Sequence, residues 1–266
     1  MRIDCSHAEA RRRRTAAGDR SVAACASKTP TIPAAADNGR RVDKTLLRSI
    51  VHLRRHPAGL LLAAQLCAVV LYPVLEDSNA GRLIFGIFGI AVLALVLWVV
   101  NRSPTVNWIA WLLAVPAVVL SLLGDIAALP KLLVVAHMLE AALYFYAAIG
   151  LIIYMFGDQR VTLDELLAVG ATFTLLAWAW AFAYAVCQAW YPGSFTGPAG
   201  LDTPRTWMEL LFMSFSVLSG VGLSDISPLT PPARALVMLE MFAGVMYIAI
   251  VVSRLVGLSA ARARAG

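Results

Sequence analysis

Six apolar segments constrain the fold of this chain more than any other feature of its sequence. A bilayer core about 30 Å thick is spanned by roughly 20 apolar residues in a helix. Sixty per cent of the 266 residues are hydrophobic and the mean hydropathy is +0.75, well above what a soluble core requires. We therefore predict an all-α membrane protein with six transmembrane helices, at residues 58–75, 83–100, 106–123, 132–156, 163–190 and 233–257.

A seventh apolar run, Trp207–Leu218, lies between the fifth and sixth predicted spans and has only 12 residues. Because it is too short to cross a bilayer, we interpret it as a re-entrant helix followed by a loop. Asp202 and Thr203, followed by Pro204, predict where this helix starts.

The basic residues predict the orientation of the chain. Residues 1–57 contain 13 of the 22 Lys and Arg residues, which places the N-terminus in the cytoplasm of a multi-pass cell-membrane protein. Six spans return the C-terminus to the cytoplasm, and the basic residues Arg254, Arg262 and Arg264 agree with this side. The loop between spans five and six then faces outward.

The residues before the first span fall into two predicted parts. Residues 1–42 are a disordered basic tail, because they are rich in Ala, Arg, Ser, Thr and Pro and have little periodicity. Residues 43–57 form a helix on the inner membrane surface or, alternatively, an extension of span one. The sequence pI of about 9.4 fits contact with anionic lipids. Nucleic acid is a poor partner, because no aromatic residues alternate with the basic ones.

Residues 58–160 are predicted to form a peripheral bundle of four membrane helices. Span four has no arginine ladder, since only Lys131 and Arg160 flank it, and this excludes a voltage sensor of the usual kind. His137 and Glu140 lie three residues apart in span four, and we interpret them as a buried polar pair rather than part of a metal site.

Nothing in the sequence indicates an enzyme or a cofactor. The chain has no P-loop, no GxSxG and no HExxH motif. Its four cysteines have no CxxC spacing, so we expect reduced structural thiols.

Residues 163–258 resemble the pore module of bacterial six-span members of the potassium-channel-like superfamily. The segment 219–225 is similar to the potassium-channel signature Thr-Val-Gly-Tyr-Gly-Asp, and residues 212–218, 225–231, 233–236, 239–240 and 254–258 also match. The resemblance covers a little over a third of the chain and defines a pore module at 161–258, with a tail at 259–266. It implies a selectivity filter made of Ser219, Gly220, Val221, Gly222, Leu223, Ser224 and Asp225.

In such a filter, backbone carbonyl groups replace the water shell of an ion. The resemblance places a monovalent cation on the backbone of Gly220, Val221, Gly222 and Leu223. Carbonyls that face one axis need alternating backbone conformations with positive φ, which glycine adopts readily. Asp225 adds negative charge at the outer mouth, and the C-terminal end of the short helix favours a cation.

Three departures from the signature imply weakened potassium selectivity. Gly220 replaces Thr and so removes a hydroxyl ligand, and Leu223 replaces Tyr and so loses a bracing hydrogen bond. Ser224 replaces the second Gly, where a side chain disfavours positive φ by about 1 kcal/mol or more. Restoring Thr at 220 and Gly at 224 is expected to sharpen the selectivity.

Three residues outside the filter are assigned to its support or gating. Gly244 lies where the family often has a hinge in the pore-lining helix, and the alternative is close helix packing by a small residue. Glu240 is interpreted as a buried brace behind the filter rather than a charge in the cavity. Trp207, on the short helix, is assigned to filter support with Glu240.

The resemblance implies a homotetramer in the lipid bilayer that passes monovalent cations, potassium or sodium. One filter loop cannot enclose an axial pathway by itself, so several subunits are required. The alternative function is a non-conducting pore relic that serves as a structural or regulatory membrane subunit.

Overall fold

The computed structural model describes residues 57–75, 89–98, 107–127, 129–157, 163–197, 200 and 203–265. Within these residues the regular structure is helical, apart from one isolated bridge between Phe195 and Pro228. The predicted all-α class is confirmed for this part of the chain. The predicted tail 1–42 lies outside the described residues, as does the predicted surface helix 43–57 except for Pro57.

Seven helices make up the described part of the chain, and each coincides with or overlaps one predicted apolar segment. By length and composition, Pro130–Gly157, Asp164–Trp190 and Pro231–Gly257 could each cross a membrane, whereas the other described apolar helices are shorter. The count of six spans therefore stays a prediction. In chain order the helices are α1 Pro57–Leu75, α2 Gly89–Trp98, α3 Asn107–Ala127, α4 Pro130–Gly157, α5 Leu163–Trp190, α6 Trp207–Leu218 and α7 Pro231–Ala265.

Helix α5 is the centre of the described core and packs against α1, α4, α6 and α7. Small side chains let these neighbours approach closely. A Cβ on Gly170 would lie 2.8 Å from a methyl carbon of Leu62 on α1, so the two helices pack closely there. The fully buried alanines of α5 are Ala168, Ala171, Ala177, Ala179 and Ala181.

An aromatic cluster packs the first turn of α6 against α5. The Trp207 ring lies edge-on to Trp178, with centroids 5.1 Å apart, and 5.8 Å from Phe182. Tyr144 of α4 stacks on Phe182 at 5.6 Å. Aromatic pairs at these distances stabilise a contact by more than the apolar area that they bury, and they therefore anchor the start of α6.

Helix α6 begins at Trp207, and the predicted start at Asp202 and Thr203 is wrong. Thr206 has extended backbone angles (φ −66°, ψ 159°), and its hydroxyl accepts a hydrogen bond from the Glu209 amide. The Glu209 carboxylate in turn accepts from the Thr206 amide at 2.6 Å. This reciprocal capping box satisfies two amides at once and therefore outweighs the start signal three residues earlier. Asp202 itself lies outside the described residues.

Helix α7 starts with Pro231 at its first position, where a missing amide hydrogen costs nothing. It continues through Gly244 as one helix of 35 residues. Most of the residues between Pro231 and Gly257 are not buried within the single chain. Its exposed large apolar residues are Met238, Leu239, Met241, Phe242, Val245, Met246, Ile248, Ile250, Val252 and Val256.

Candidate functional site

The predicted filter segment leaves the end of α6 through two glycines with positive φ. Gly220 has φ +74° and Gly222 has φ +69°, a region that residues with side chains rarely adopt. The Gly220 amide donates to the Val217 carbonyl at 3.0 Å, and the Gly222 amide donates to the Ser216 carbonyl at 3.1 Å. The segment is thereby folded back against the last turn of α6.

The side chains of the segment face away from the core of the chain. Val221 and Leu223 are 70% and 71% exposed, and the glycines on either side of Val221 are exposed as well. The chain's own core therefore does not cover these two apolar side chains. Gly220 and Gly222 have no side chain that would cover their carbonyl groups.

Ser224 and Asp225 form the exit of the segment. The Ser224 hydroxyl accepts a hydrogen bond from the Ile226 amide at 3.1 Å, and the Ser224 amide donates to the Gly222 carbonyl at 3.2 Å. Asp225 is exposed, whereas Ile226 is buried. The Ser224 side chain therefore stabilises a local turn, a role that the comparison with the signature did not predict.

The residues after the exit pair with the loop that follows α5. The Thr196 amide donates to the Ser227 carbonyl at 2.9 Å, and the Ser227 amide donates to the Thr196 hydroxyl at 2.8 Å. The Leu229 amide donates to the Ser194 carbonyl at 2.8 Å. We call residues 194–196 and 227–229 the outer clamp, because these bonds hold the exit of the filter segment to α5.

Glu240 joins α7 to α5 and α6. Its side chain is fully buried, and its two carboxylate oxygens accept hydrogen bonds from Tyr184 of α5 and Ser214 of α6, the latter at 2.5 Å. The Phe195 ring of the outer clamp lies edge-on to Tyr184, with centroids 5.4 Å apart. This is the geometry expected of a brace, although its effect on conduction stays a prediction. Sequence reasoning missed Tyr184 and Ser214, whose only signal is a polar group within an apolar helix.

Gly244 packs directly against the end of α6. A Cβ there would lie 2.2 Å from the Leu218 carbonyl oxygen and 2.9 Å from its carbonyl carbon. Glu240 and Gly244 are four residues apart on α7, and they contact Ser214 and Leu218, which are four residues apart on α6. The close-packing interpretation of Gly244 therefore has direct support, while a hinge stays a prediction.

Trp207 lies at the opposite end of α6 from the filter segment. The helix has 12 residues, so at about 1.5 Å per residue its two ends are roughly 16 Å apart. The rings that Trp207 contacts are those of Tyr72, Trp178 and Phe182. Trp207 can therefore act on the filter segment only indirectly, by fixing the position of α6.

The other polar candidates of the sequence lie away from this segment. His137 lies with its ring 5.5 Å from that of Phe182, and Glu140 is buried on the same helix. Among the described residues, no group of three or more His, Cys, Asp or Glu side chains is placed to hold a metal ion. A cation bound at residues 219–225 would rely on backbone carbonyls.

Residues 141–258 match a family model described as ion channel. The match begins within α4 and includes α5, α6, the filter segment and most of α7. No curated protein and no solved structure matches the chain significantly. Together with the three long apolar helices, the family match supports an ion channel of the potassium-channel-like kind in a membrane.

Proposed function

We propose that the protein is one subunit of a homotetrameric channel that passes monovalent cations across the cell membrane. The observation that carries this proposal is the position of Gly220 and Gly222. Their positive φ values occur in one exposed segment, at the end of a short helix and between two helices long enough to cross a membrane. This segment also lies inside the region that matches the ion-channel family.

The cation is bound by the backbone carbonyl groups of Gly220, Val221, Gly222 and Leu223 from each subunit. Carbonyl oxygens replace the water that the ion gives up on entry, and successive sites must be weak enough to release it. Helix α6 ends at Leu218, beside this segment, so the negative end of its dipole favours a cation there. Asp225, exposed at the exit, attracts cations to the outer mouth.

The tetramer is supported by the apolar surface that the single chain leaves uncovered. Phe242 and Val245 of α7 are 67% and 63% exposed, and Val221 and Leu223 of the filter segment are similarly exposed. Four copies around one axis would cover part of this surface and surround the carbonyl row. The lipid bilayer covers the remaining apolar faces in this arrangement.

The basic residues set the orientation of the chain in the membrane. The N-terminal segment and the end of α7 are cytoplasmic, six helices span the membrane, and α6 is re-entrant from the outer side. Glu240, Tyr184 and Ser214 hold the filter from behind, and Gly244 lets α7 approach the end of α6.

The selectivity of the channel for potassium over sodium is weak. Gly220 has no hydroxyl to complete the innermost ion site, and the Ser224 hydroxyl is engaged with the Ile226 amide in a local turn. Leu223 has no polar group with which to brace the filter from behind. Potassium and sodium are therefore both permeant ions in this proposal.

The test is cation flux through the purified protein in liposomes. Liposomes loaded with potassium should release it through the wild-type protein, and Gly222→Ala should reduce the flux because alanine disfavours positive φ. Gly257→Ala is the matched control, since a Cβ there meets nothing within 4 Å. A stable tetramer that passes neither ion would instead support the non-conducting relic.

A further inference from the structure

Arg254, in the C-terminal half of α7, forms a largely buried ion pair in the part of the helix remote from the filter segment. Its guanidinium donates to the Glu165 carboxylate in the first turn of α5, and the two side chains are 11% and 7% exposed. The same guanidinium lies 5.1 Å from the centre of the Phe156 ring near the end of α4. One side chain of α7 thus contacts both α4 and α5.

A second bond reinforces this contact two helical turns earlier. The Tyr247 hydroxyl donates to the Val169 carbonyl at 2.6 Å. Tyr247 and Arg254 are seven residues apart and so share one face of α7, while Glu165 and Val169 are one turn apart on α5. We call Glu165, Val169, Tyr247 and Arg254 the inner clamp.

The inner clamp lies on the far side of Gly244 from the filter. On the filter side, Glu240 and Gly244 tie α7 to Ser214 and Leu218 of α6. Beyond Gly244, Tyr247 and Arg254 tie α7 to α5. Helix α7 is therefore held by α6 at Glu240 and Gly244 and by α5 at Tyr247 and Arg254. The boundary between these two sets of contacts lies just after Gly244. Moving the remote half of α7 away from α5 breaks the Arg254–Glu165 pair.

A buried ion pair of this kind can fix the position of one helix relative to another. Taking two charges out of water offsets much of their attraction, so a buried ion pair adds little net stability compared with apolar residues. Removing one partner takes away the opposite charge that faces the other, which favours a different local arrangement. The pair thus fixes this position of α7 against α5 while contributing little to the fold as a whole.

We propose that the Arg254–Glu165 pair is a latch that sets the position of the remote half of α7 and hence the rate of ion passage. Because Phe156 contacts the same guanidinium, α4 acts on the pore-lining helix at this point. The effect on ion passage rests on the proposed channel function, whereas the effect on α7 does not.

The test compares Glu165→Gln, Arg254→Gln, the double glutamine variant and the charge swap Glu165→Arg with Arg254→Glu. The readouts are potassium efflux from liposomes and amide hydrogen exchange of residues 245–257. Each single variant should change the efflux rate by about fivefold or more, as expected of a coupling between sites. Both single variants should change the efflux rate in the same direction. Both should also speed amide hydrogen exchange in residues 245–257 more than in residues 231–243. Lys131→Gln, at an exposed position, is the control and should change neither.

The double glutamine variant should behave like either single variant, because all three break one pair, and the swap should move both readouts back toward wild type. The proposal would be overturned if the effects of the two single changes on the efflux rate were additive. It would also be overturned if residues 245–257 of the variants exchanged as in the wild type. Both outcomes can be read even if the swap variant does not assemble. A wild-type protein that passes no ion would refute the channel function, while the exchange of 245–257 would still decide whether the latch exists.

Discussion

A Cβ on Gly244 would lie 2.2 Å from the carbonyl oxygen of Leu218, so α7 and α6 meet where only glycine fits. Since the Leu218 contact is backbone rather than a flexible side chain, Gly244→Ala should force the two helices apart. We predict a loss of about 1–3 kcal/mol in unfolding free energy per subunit, as for other overpacked cores. Thermal unfolding of the detergent-solubilised protein measures this loss.

Gly257→Ala on the same helix is the control for this prediction, because it has open space around it. A Gly244→Ala protein as stable as the control, with altered conduction alone, would contradict the packing account and favour a gating hinge at this position.

The hydrogen bonds on Glu240 give a second prediction. Tyr184→Phe removes one donor and leaves a fully buried carboxylate oxygen without that partner. The expected cost is about 1–3 kcal/mol of unfolding free energy. Tyr184→Phe combined with Glu240→Gln should cost much less than the sum of the single changes, because both act on one contact. Tyr191→Phe, at an exposed tyrosine, is the control. Strictly additive costs would show that the two residues do not act as one unit.

The capping box gives a third prediction, which separates the observed start of α6 from the start expected from the sequence. Thr206→Ala should destabilise the protein by about 1 kcal/mol, because the Glu209 amide loses its acceptor. Thr203→Ala, at the position predicted from the sequence, should cost less. Unfolding midpoints of the two variants in the same detergent test this order, and the reverse order would count against the capping box.

Gly220 gives a fourth prediction, and here the structure changes the expectation drawn from the signature. Restoring threonine at 220 together with glycine at 224 was expected to sharpen potassium selectivity, but Gly220 has φ +74°. A residue with a side chain is disfavoured there by about 1–2 kcal/mol per subunit, and threonine is also branched at Cβ. Gly220→Thr should therefore weaken the tetramer before it affects selectivity. Native mass spectrometry reports the assembly, and a stable tetramer with a higher potassium preference in reversal potentials would contradict this prediction.

The sequence predicted those features of the fold that depend on neighbouring residues. The bounds of α5 follow from an apolar run that ends at polar or turn residues, and this helix has the predicted limits. Helix α6 coincides with the apolar run Trp207–Leu218, but its cap is Thr206 and not the predicted Asp202 or Thr203. The positive φ at Gly222 was expected, because a carbonyl row requires glycine. The Thr206–Glu209 capping box also depends only on neighbouring residues. It was overlooked because the helix start was predicted at Asp202 and Thr203, which Pro204 follows.

The features that the sequence did not predict depend on residues far apart in the chain. Tyr184 and Glu240 are 56 residues apart, and Glu165 and Arg254 are 89 residues apart. A single sequence gives no information on which polar groups of separate apolar helices will meet. Glu240 could be proposed as a brace because a carboxylate in a membrane segment needs partners, but those partners could not be named.

The measurement that tests the account most directly is the ion flux of the purified wild-type protein in liposomes under opposed potassium and sodium gradients. We predict flux of both ions and a reversal potential that indicates only a weak preference for potassium, because Gly220 and Ser224 differ from the threonine and the glycine of the signature. A properly assembled protein that passes neither ion would contradict the channel function. A strongly potassium-selective protein would contradict the role given to these two residues.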